Sequence, residues 1–283
     1  MTIRTLQTII PSVATSDGAG VKLKRSLGGG ERLRHDPFLM LDEFFSDNAD
    51  DYIRGFPPHP HRGFETVTYM LDGHMRHEDN MGHRGDLGPG DVQWMTAGRG
   101  IIHSEMPQQS EGRLRGFQLW INLPSAEKMK PAAYRDIASS EIPTLSLTEG
   151  GEVRVIAGNF IRGEQLVSGP IQGLTTEPLY LDVHLPGGAD FIAPISCGLH
   201  AFLYVYDGET TIGDDRQVLP NRAAGLLSDG DTVKVLAGLQ GARFLLLAGK
   251  PLNEPIAQHG PFVMNTRAEI EQALADYRNG ALT

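Results

Sequence analysis

The sequence predicts an all-β fold of two similar domains, each a barrel or sandwich of short strands, followed by a short C-terminal helix. Three observations support this prediction. Short apolar segments alternate with turns containing Gly, Pro and Asp over most of the 283 residues. Two of these segments recur in the same order in the second half of the chain. Only the C-terminal tail shows a helical period.

The strands of the first half are separated by clear turn signals. Phe64 to Leu71 is rich in Thr, Val and aromatic residues and ends at Asp72-Gly73, which favours a hairpin. Further strand-like segments follow at close spacing with no helical period between them, which is typical of a sandwich or barrel. They are residues 92–96, 101–106 and 117–123.

The second half of the chain repeats part of the first. FETVTYMLDG at 64–73 aligns with LHAFLYVYDG at 199–208, and GDLGPGDVQWMTAG at 85–98 aligns with GLLSDGDTVKVLAG at 225–238. The preserved order indicates an internal duplication, although β proteins also reuse the same turns. The stretch Pro124–Pro143 has no clean period, so we expect a linker there and domains at residues 1–130 and 131–283.

The tail has the pattern of a capped helix. Thr266 and Glu269 are three residues apart, as in a capping box, and Gly280 lies where a helix would end. Between them an apolar stripe recurs at helical spacing, formed by Ile270, Leu274 and Tyr277. We expect a docking helix over about residues 266–279, without a chemical role.

Composition disfavours several classes of function. The net charge of -10 and the lack of a basic run disfavour direct contact with nucleic acid. The single cysteine, Cys197, permits no intramolecular disulfide, which favours a reducing compartment. The N-terminus lacks the features of a signal peptide and no segment has transmembrane length, so we expect a cytoplasmic protein with no membrane partner.

Two pairs of side chains have the spacing of ligands carried on strands. His59 and His61 are two residues apart, as are His103 and Glu105, and residues i and i+2 of a strand point to the same face. A single pair of this kind is more often a solvated strand face than a site. Two pairs on facing strands place four ligands around one cavity. Pro60 restricts His59 to a strand entry or an edge strand.

This set of ligands limits the metal and suggests its use. Three imidazoles and one carboxylate suit Fe(II), Mn(II), Co(II) or Ni(II), with Zn(II) and Cu(II) left open. An octahedral ion with four protein ligands keeps two positions for water, O2 or a chelating substrate. A ligand carboxylate such as Glu105 can also accept a proton from a substrate hydroxyl through its second oxygen. We expect His74, His77 and His83 to be exposed around a hairpin.

Longer motifs around these residues resemble the pirin family of the cupin superfamily. They are DPFLMLDEF at 36–44, FPPHPHRGFETVTYMLDG at 56–73, HEDN at 77–80, GDLGPGDVQWMTAGRGIIHSEMP at 85–107 and GPFVMNTRAEIEQA at 260–273. The resemblance implies two tandem cupin barrels of the double-stranded β-helix (jelly-roll) type. It also implies that the N-terminal domain binds the metal and that the C-terminal domain is degenerate and metal-free.

The resemblance assigns the ligands residue by residue. In pirins they lie in the HPH and H-x-E segments, which here are His59, His61, His103 and Glu105. Other cupins often take their carboxylate from a Glu shortly after the first pair, and the pirin pattern makes that residue, Glu65, a non-ligand. In the internal repeat the counterparts of the four ligands fall at residues that cannot bind a metal, namely Pro194, Ser196 and residues 243–246.

The resemblance implies two functions. Bacterial and some other pirins resemble flavonol (quercetin) 2,3-dioxygenases, which implies one metal, foremost iron(II), O2, a flat flavonol-like substrate and Glu105 as catalytic base. The alternative is a non-catalytic, redox-responsive metal protein that regulates through a protein partner. A third hypothesis is a cupin isomerase of a small polar substrate. An aromatic ligand is favoured if the pocket wall contains apolar candidates such as Phe38, Met40, Phe56, Trp94 and Met106.

Overall fold

The computed structural model describes residues 1–30, 33–148 and 150–283. Contacts between residues divide the chain into two compact units. The unit that we call the first barrel contains residues 13–28, 38–139 and 252–283. The second barrel contains residues 1–12, 29–37 and 140–251.

Strands account for most of the regular structure, as predicted. In the first half of the chain they are β1 Leu6–Pro11, β2 Val13–Asp17, β3 Val21–Leu27, β4 Phe38–Ser46, β5 Phe56–His61, β6 Phe64–Asp72, β7 Met75–Asp79, β8 Arg84–Leu87, β9 Val92–Thr96, β10 Ile101–Pro107, β11 Leu114–Asn122 and β12 Ala133–Ile137. The second half has β13 Thr144–Ser146, β14 Glu152–Ala157, β15 Asn159–Arg162, β16 Gln165–Ser168, β17 Leu179–Leu185, β18 Asp190–Pro194, β19 His200–Ile212, β20 Gln217–Leu219, β21 Ala223–Leu227, β22 Thr232–Gly249, β23 Ala257–His259 and β24 Phe262–Met264. Short 3-10 turns cover Ala49–Asp51, Ser125–Glu127 and Ser139–Glu141, and helix α1 covers Arg267–Arg278.

The first barrel is built from two antiparallel sheets. The smaller sheet has the order β5-β10-β7-β8, and the larger has the order β12-β9-β6-β11-β4-β3-β2. Strand β5 lies at the edge of the smaller sheet, where Pro60 within it removes no hydrogen bond from a central ladder. This position agrees with the edge placement that Pro60 predicts.

The second barrel is built around one large antiparallel sheet. Its main path is β1-β21-β19-β22-β17-β14-β13, with β18 paired to β22 and β20 paired to β19. A continuous cluster of Val, Leu, Ile, Ala and Phe side chains fills its interior. The burial of these apolar side chains stabilises the barrel.

The two barrels share a strand plan, which corrects part of the predicted repeat. Strand β6 lies between β9 and β11, and β19 lies between β21 and the second part of β22. The alignment of residues 64–73 with 199–208 therefore agrees with the fold. The alignment of 85–98 with 225–238 was wrong, because the counterpart of β9 is β21 and not the start of β22. The Gly-Asp turn recurs before a different strand.

The shared order of strands also changes which residues of the second barrel correspond to the predicted ligands. Strand β18 pairs with the first part of β22 as β5 pairs with β10. The residues of these two segments that enter the buried core are apolar, namely Phe191, Ala193, Val233 and Val235. The predicted counterparts Pro194, Ser196 and 243–246 were therefore misplaced. That the second barrel binds no metal stays a prediction.

The terminal segments divide differently from the predicted ranges 1–130 and 131–283. Strand β1 pairs with β21 in the second barrel, whereas residues 252–283 belong to the first. The predicted linker contains β12, which pairs with β9 and extends the first barrel to residue 139. Most side chains of β12 are exposed or half-buried, so no apolar alternation marks it in the sequence. The domain boundaries 1–130 and 131–283 stay a prediction.

Helix α1 confirms the predicted tail. The Thr266 hydroxyl accepts from the Glu269 backbone N–H, and the Glu269 carboxylate accepts from the Thr266 backbone N–H, which completes the capping box. Ile270 and Ala273 are buried, whereas Leu274 of the predicted apolar stripe is half-buried and Tyr277 is exposed. Within the part of the chain that the structure describes, no helix is long and apolar enough to cross a membrane.

Candidate metal centre

Three of the predicted ligands meet inside the first barrel. Strands β5 and β10 are antiparallel hydrogen-bonded neighbours, with His59 directly opposite His103. His61 lies two residues after His59 and therefore points to the same face. One ring nitrogen from each of the three histidines lies within 4.8 Å of the other two. The alternation of a strand thus brings three imidazoles to one point.

The protonation state of these rings suits metal binding. Burial lowers the pKa of His61 and of His103 well below the ordinary value, and neighbouring histidines lower it further. Both rings are therefore neutral at physiological pH. Nδ1 of His59 lies 2.8 Å from the Pro57 carbonyl oxygen, which can only accept. That nitrogen therefore carries the proton and leaves the lone pair on Nε2.

The histidine cluster passes a test for fit to a metal ion. Nδ1 of His103 lies 2.6 Å from Nε2 of His77. Nε2 of His103 is also buried, and it has no hydrogen-bond partner among the described residues. A buried nitrogen without a partner is costly. Three neutral imidazoles around one point form a donor set that divalent transition metals accept. These residues therefore fit such an ion.

Glu105 lies beside the three histidines but is engaged elsewhere. It is buried, and the Thr68 hydroxyl lies 2.9 Å from its Oε1 and 2.6 Å from Oε1 of Gln118, so the single hydroxyl proton serves one of these acceptors at a time. Gln118 Nε2 lies 3.5 Å from its Oε2. The close group of ligand atoms among the described residues contains the histidines alone. Glu105 as a fourth ligand therefore stays a prediction.

Glu65 has a different environment. It is buried on β6 and accepts a 2.7 Å hydrogen bond from the Thr96 hydroxyl, across the strand pair β6–β9. Burial raises the pKa of its carboxyl group. That Glu65 is not a metal ligand stays a prediction.

The prediction that His77 is exposed was wrong. His77 is fully buried on β7, while His74 and His83 are exposed as expected. Its cross-strand neighbour on β10 is Glu105. A signal was present in the sequence, because His77 follows the buried Met75 at strand spacing and therefore shares its inward face.

A cavity of about 550 Å³ opens onto this cluster between the two sheets of the first barrel. His59, His61 and Glu105 line it. Two of the five apolar candidates, Met40 and Phe56, line it as well, whereas Phe38, Trp94 and Met106 are absent from its wall. The rest of the apolar wall consists mainly of Leu23, Leu39, Phe44, Met75 and Trp120. Such a volume suits a small organic molecule.

Comparison with known proteins agrees with the motifs and the fold. Residues 20–121 match the family model Pirin, and residues 180–283 match the model of the Pirin C-terminal cupin domain. A Pseudomonas aeruginosa protein named "Putative quercetin 2,3-dioxygenase PA3240" is 55% identical over 269 residues, which cover 94% of each chain. Human pirin is 46% identical over 269 residues, which cover 93% of this chain and 89% of the human protein.

A solved structure has the same fold. The crystal structure of a quercetin 2,3-dioxygenase from Acinetobacter baumannii superposes with a TM-score of 0.89 and 33% sequence identity. The match covers 99% of this chain and 98% of that one. Two family models, curated relatives of nearly full length and a shared two-cupin architecture lead to one conclusion: the chain belongs to the pirin family.

Proposed function

We propose that this protein is a metal-dependent dioxygenase that opens the heterocyclic ring of a flavonol such as quercetin with O2. The observation that carries the proposal is the convergence of His59, His61 and His103 beside a cavity that His59, His61 and Glu105 line. The names of the Pseudomonas relative and the Acinetobacter structure support the same substrate class.

The proposed ligands are His59, His61, His103 and Glu105, and the proposed ion is iron(II). Nickel, cobalt, manganese, copper and zinc share parts of the same ligand preference. When bound, such an ion supplies a Lewis acid for the 3-hydroxyl and 4-carbonyl oxygens of the flavonol and a site for O2.

The protein supplies a base and a shaped, largely apolar cavity. A carboxylate oxygen accepts more than one hydrogen bond, so Oε2 of Glu105, 3.5 Å from Gln118 Nε2, can take the proton of the substrate 3-hydroxyl while Oε1 stays beside the Thr68 hydroxyl. Met40, Phe44 and Trp120 provide apolar walls against which flat rings can pack. These walls exclude water from the anionic substrate, which strengthens its interaction with the site.

The ligand assignment is tested by metal content. Wild-type protein, purified without added metal, is compared with His59→Ala and Glu105→Ala by elemental analysis. His83→Ala serves as the control, because it removes an exposed imidazole from the same barrel. We expect about one metal per chain in the wild type and the control and a large loss in His59→Ala. Full metal content in His59→Ala would contradict the site.

The reaction is tested separately with metal-loaded protein and quercetin. We expect O2 consumption together with release of CO, and loss of both in Glu105→Ala. The alternative, a non-catalytic regulator that acts through a protein partner, predicts full metal binding with no O2 consumption. That result with iron-, nickel- and cobalt-loaded protein would reject the proposed reaction for quercetin.

A further inference from the structure

A row of polar side chains crosses the larger sheet of the first barrel. Arg25 on β3 is opposite Asp42 on β4, Asp42 is opposite Gln118 on β11, and Gln118 is opposite Thr68 on β6. All four line the cavity. The row therefore runs along the cavity wall from Arg25 to Thr68, whose hydroxyl contacts Glu105. Asp42 lies two interstrand spacings, about 10 Å, from Thr68.

At one end of this row, Arg25 is paired with two carboxylates, those of Asp42 and Asp17. The Arg25 guanidinium donates to both oxygens of Asp42 at 2.8 and 2.6 Å, and to Asp17 at 3.1 Å. Two carboxylates around one cation leave a net charge of about -1 by simple addition of unit charges. Burial raises the pKa of Asp42 to about 6, while Arg25 opposes that rise, so the carboxylate is mostly ionised at neutral pH.

We propose that Asp42, positioned by Arg25, is a hydrogen-bond acceptor for ring hydroxyls of the substrate and selects neutral polyphenols over anionic aromatic molecules. The inference rests on the proposed function, because it assumes that the 3-hydroxyl end of a flavonol lies at the histidine cluster. A planar molecule of three rings, bound there along the row, extends its hydroxylated far ring toward Asp42.

The chemistry of the wall favours hydroxyl donors in particular. A carboxylate is an acceptor only, and each of its oxygens can accept more than one hydrogen bond, so Asp42 retains acceptor capacity beside Arg25. Arg25 is already engaged by two carboxylates, which limits its attraction for an added anion. A sulfonate or carboxylate on the substrate would meet the net negative charge of this group.

Ligand affinity tests the inference. Dissociation constants are measured by anaerobic fluorescence titration of metal-loaded protein with quercetin, with 3-hydroxyflavone, which lacks the other ring hydroxyls, and with a quercetin sulfonate. In the wild type we expect quercetin to bind about tenfold more tightly than 3-hydroxyflavone, as one hydrogen bond to a charged group would give. The sulfonate should bind more weakly than quercetin.

The variant Asp42→Asn should reduce the preference of about tenfold for quercetin to within about threefold. Glu43→Gln is the matched control, because Glu43 is the next residue of β4 and is buried in a pair with Arg115 at 2.9 Å outside the cavity wall. It removes the same charge and should keep the preference. Thermal unfolding of both variants shows whether they remain folded, and the wild-type ligand series tests the inference without any variant.

The outcomes separate this inference from the proposed function. If quercetin and 3-hydroxyflavone bind the wild type equally, or the sulfonate binds more tightly than quercetin, the role of Asp42 is rejected while flavonol binding stands. If folded Asp42→Asn keeps the wild-type preference for quercetin over 3-hydroxyflavone, the role of Asp42 is also rejected. If neither flavonol binds the wild type, the proposed function and this inference both fail.

Discussion

Nε2 of His77 lies 2.6 Å from Nδ1 of His103 inside the first barrel, and both rings are buried. The two residues lie on adjacent strands, β7 and β10, whose pairing also sets His77 opposite Glu105. Because His77 engages Nδ1 of His103, Nε2 is the nitrogen left to bind a metal. Partners of this kind fix the orientation of a ligand imidazole.

We therefore predict that His77→Ala weakens metal binding by about 10- to 100-fold, although His77 is not itself a proposed ligand. The measurement is competition for the metal against a chromophoric chelator. His77→Gln, which retains polar atoms that can hydrogen-bond, should fall between the wild type and His77→Ala.

His83→Ala is the control for this prediction. His83 and His77 both pack against the ring of Tyr134, at 5.3 and 5.5 Å between centroids, but His83 is exposed and hydrogen-bonds Asp79. Its loss should leave metal affinity unchanged. Equal affinities in His77→Ala and His83→Ala would mean that His77 does not orient His103.

Thr68→Val should slow the reaction and leave metal content unchanged. The substitution keeps the shape of the side chain and removes the hydroxyl that lies 2.9 Å from Oε1 of Glu105 and 2.6 Å from Oε1 of Gln118. We expect kcat with quercetin to fall about tenfold, as loss of one hydrogen bond to a charged group predicts. Thr66→Val, two residues earlier and equally buried, is the control. An unchanged kcat in Thr68→Val would show that the hydroxyl does not position the proposed base.

Local patterns predicted the strands whose residues are mostly buried or alternate in burial, and they also predicted the capped helix. Strand β9 has the predicted bounds, and β6, β10 and α1 differ from theirs by one or two residues. Strand β12 was missed because most of its side chains are at least partly exposed. The N-terminal residues belong to the second barrel and the C-terminal residues to the first. This assignment depends on pairing between distant strands, such as β1 with β21, and the periodicity of the sequence does not encode it.

The candidate site also combines features that local patterns predict with features that depend on pairing between distant strands. The spacing of His59 and His61 predicted their shared face because a strand has a period of two. Asp42 and Thr68 lie within the quoted motifs but were given no role there, and Gln118 lies outside them. All three join the cavity through the register of a different sheet. A register of that kind is set by tertiary pairing, so a single sequence does not show it.

Stability in mild acid should depend on His35 in the second barrel. Its ring stacks on His200 at 4.8 Å between centroids, and its Nε2 lies 3.2 Å from the Ala201 carbonyl oxygen. Burial, together with the neighbouring His200, lowers the pKa of His35 to about 4. The unfolded chain has a histidine pKa of about 6.5. The stability contribution is therefore fully present above pH about 6.5 and is lost as the pH falls toward about 4, because the unfolded state binds the proton first.

Urea unfolding of the wild type and His35→Gln between pH 7 and pH 4 measures this effect. Glutamine keeps a donor for the Ala201 carbonyl and does not titrate in this range. We expect the free energy of unfolding of the wild type to fall relative to the variant by up to about 3 kcal/mol across the window. A difference that does not vary with pH would contradict the burial of a neutral His35.

Gly63→Ala should destabilise the first barrel far more than the same change at Gly82. The two glycines have nearly equal positive φ angles, 90° and 87°, so the backbone strain of an added Cβ is similar at both. At Gly63 the Cβ would overlap the Val263 carbonyl oxygen, whereas at Gly82 it would meet no atom of the described residues within 4 Å. Gly63 follows His61 and Arg62, so the backbone shift that relieves this clash would also move the proposed ligand.

We expect Gly82→Ala to lower the free energy of unfolding by about 1 kcal/mol, which is the cost of the positive φ angle. Gly63→Ala should lower it by at least about 2 kcal/mol more, because it adds steric overlap with a backbone atom. Urea unfolding measures both values, and metal content measured in parallel should fall in Gly63→Ala only. Equal destabilisation at the two positions would show that residues 63 and 263 do not pack closely.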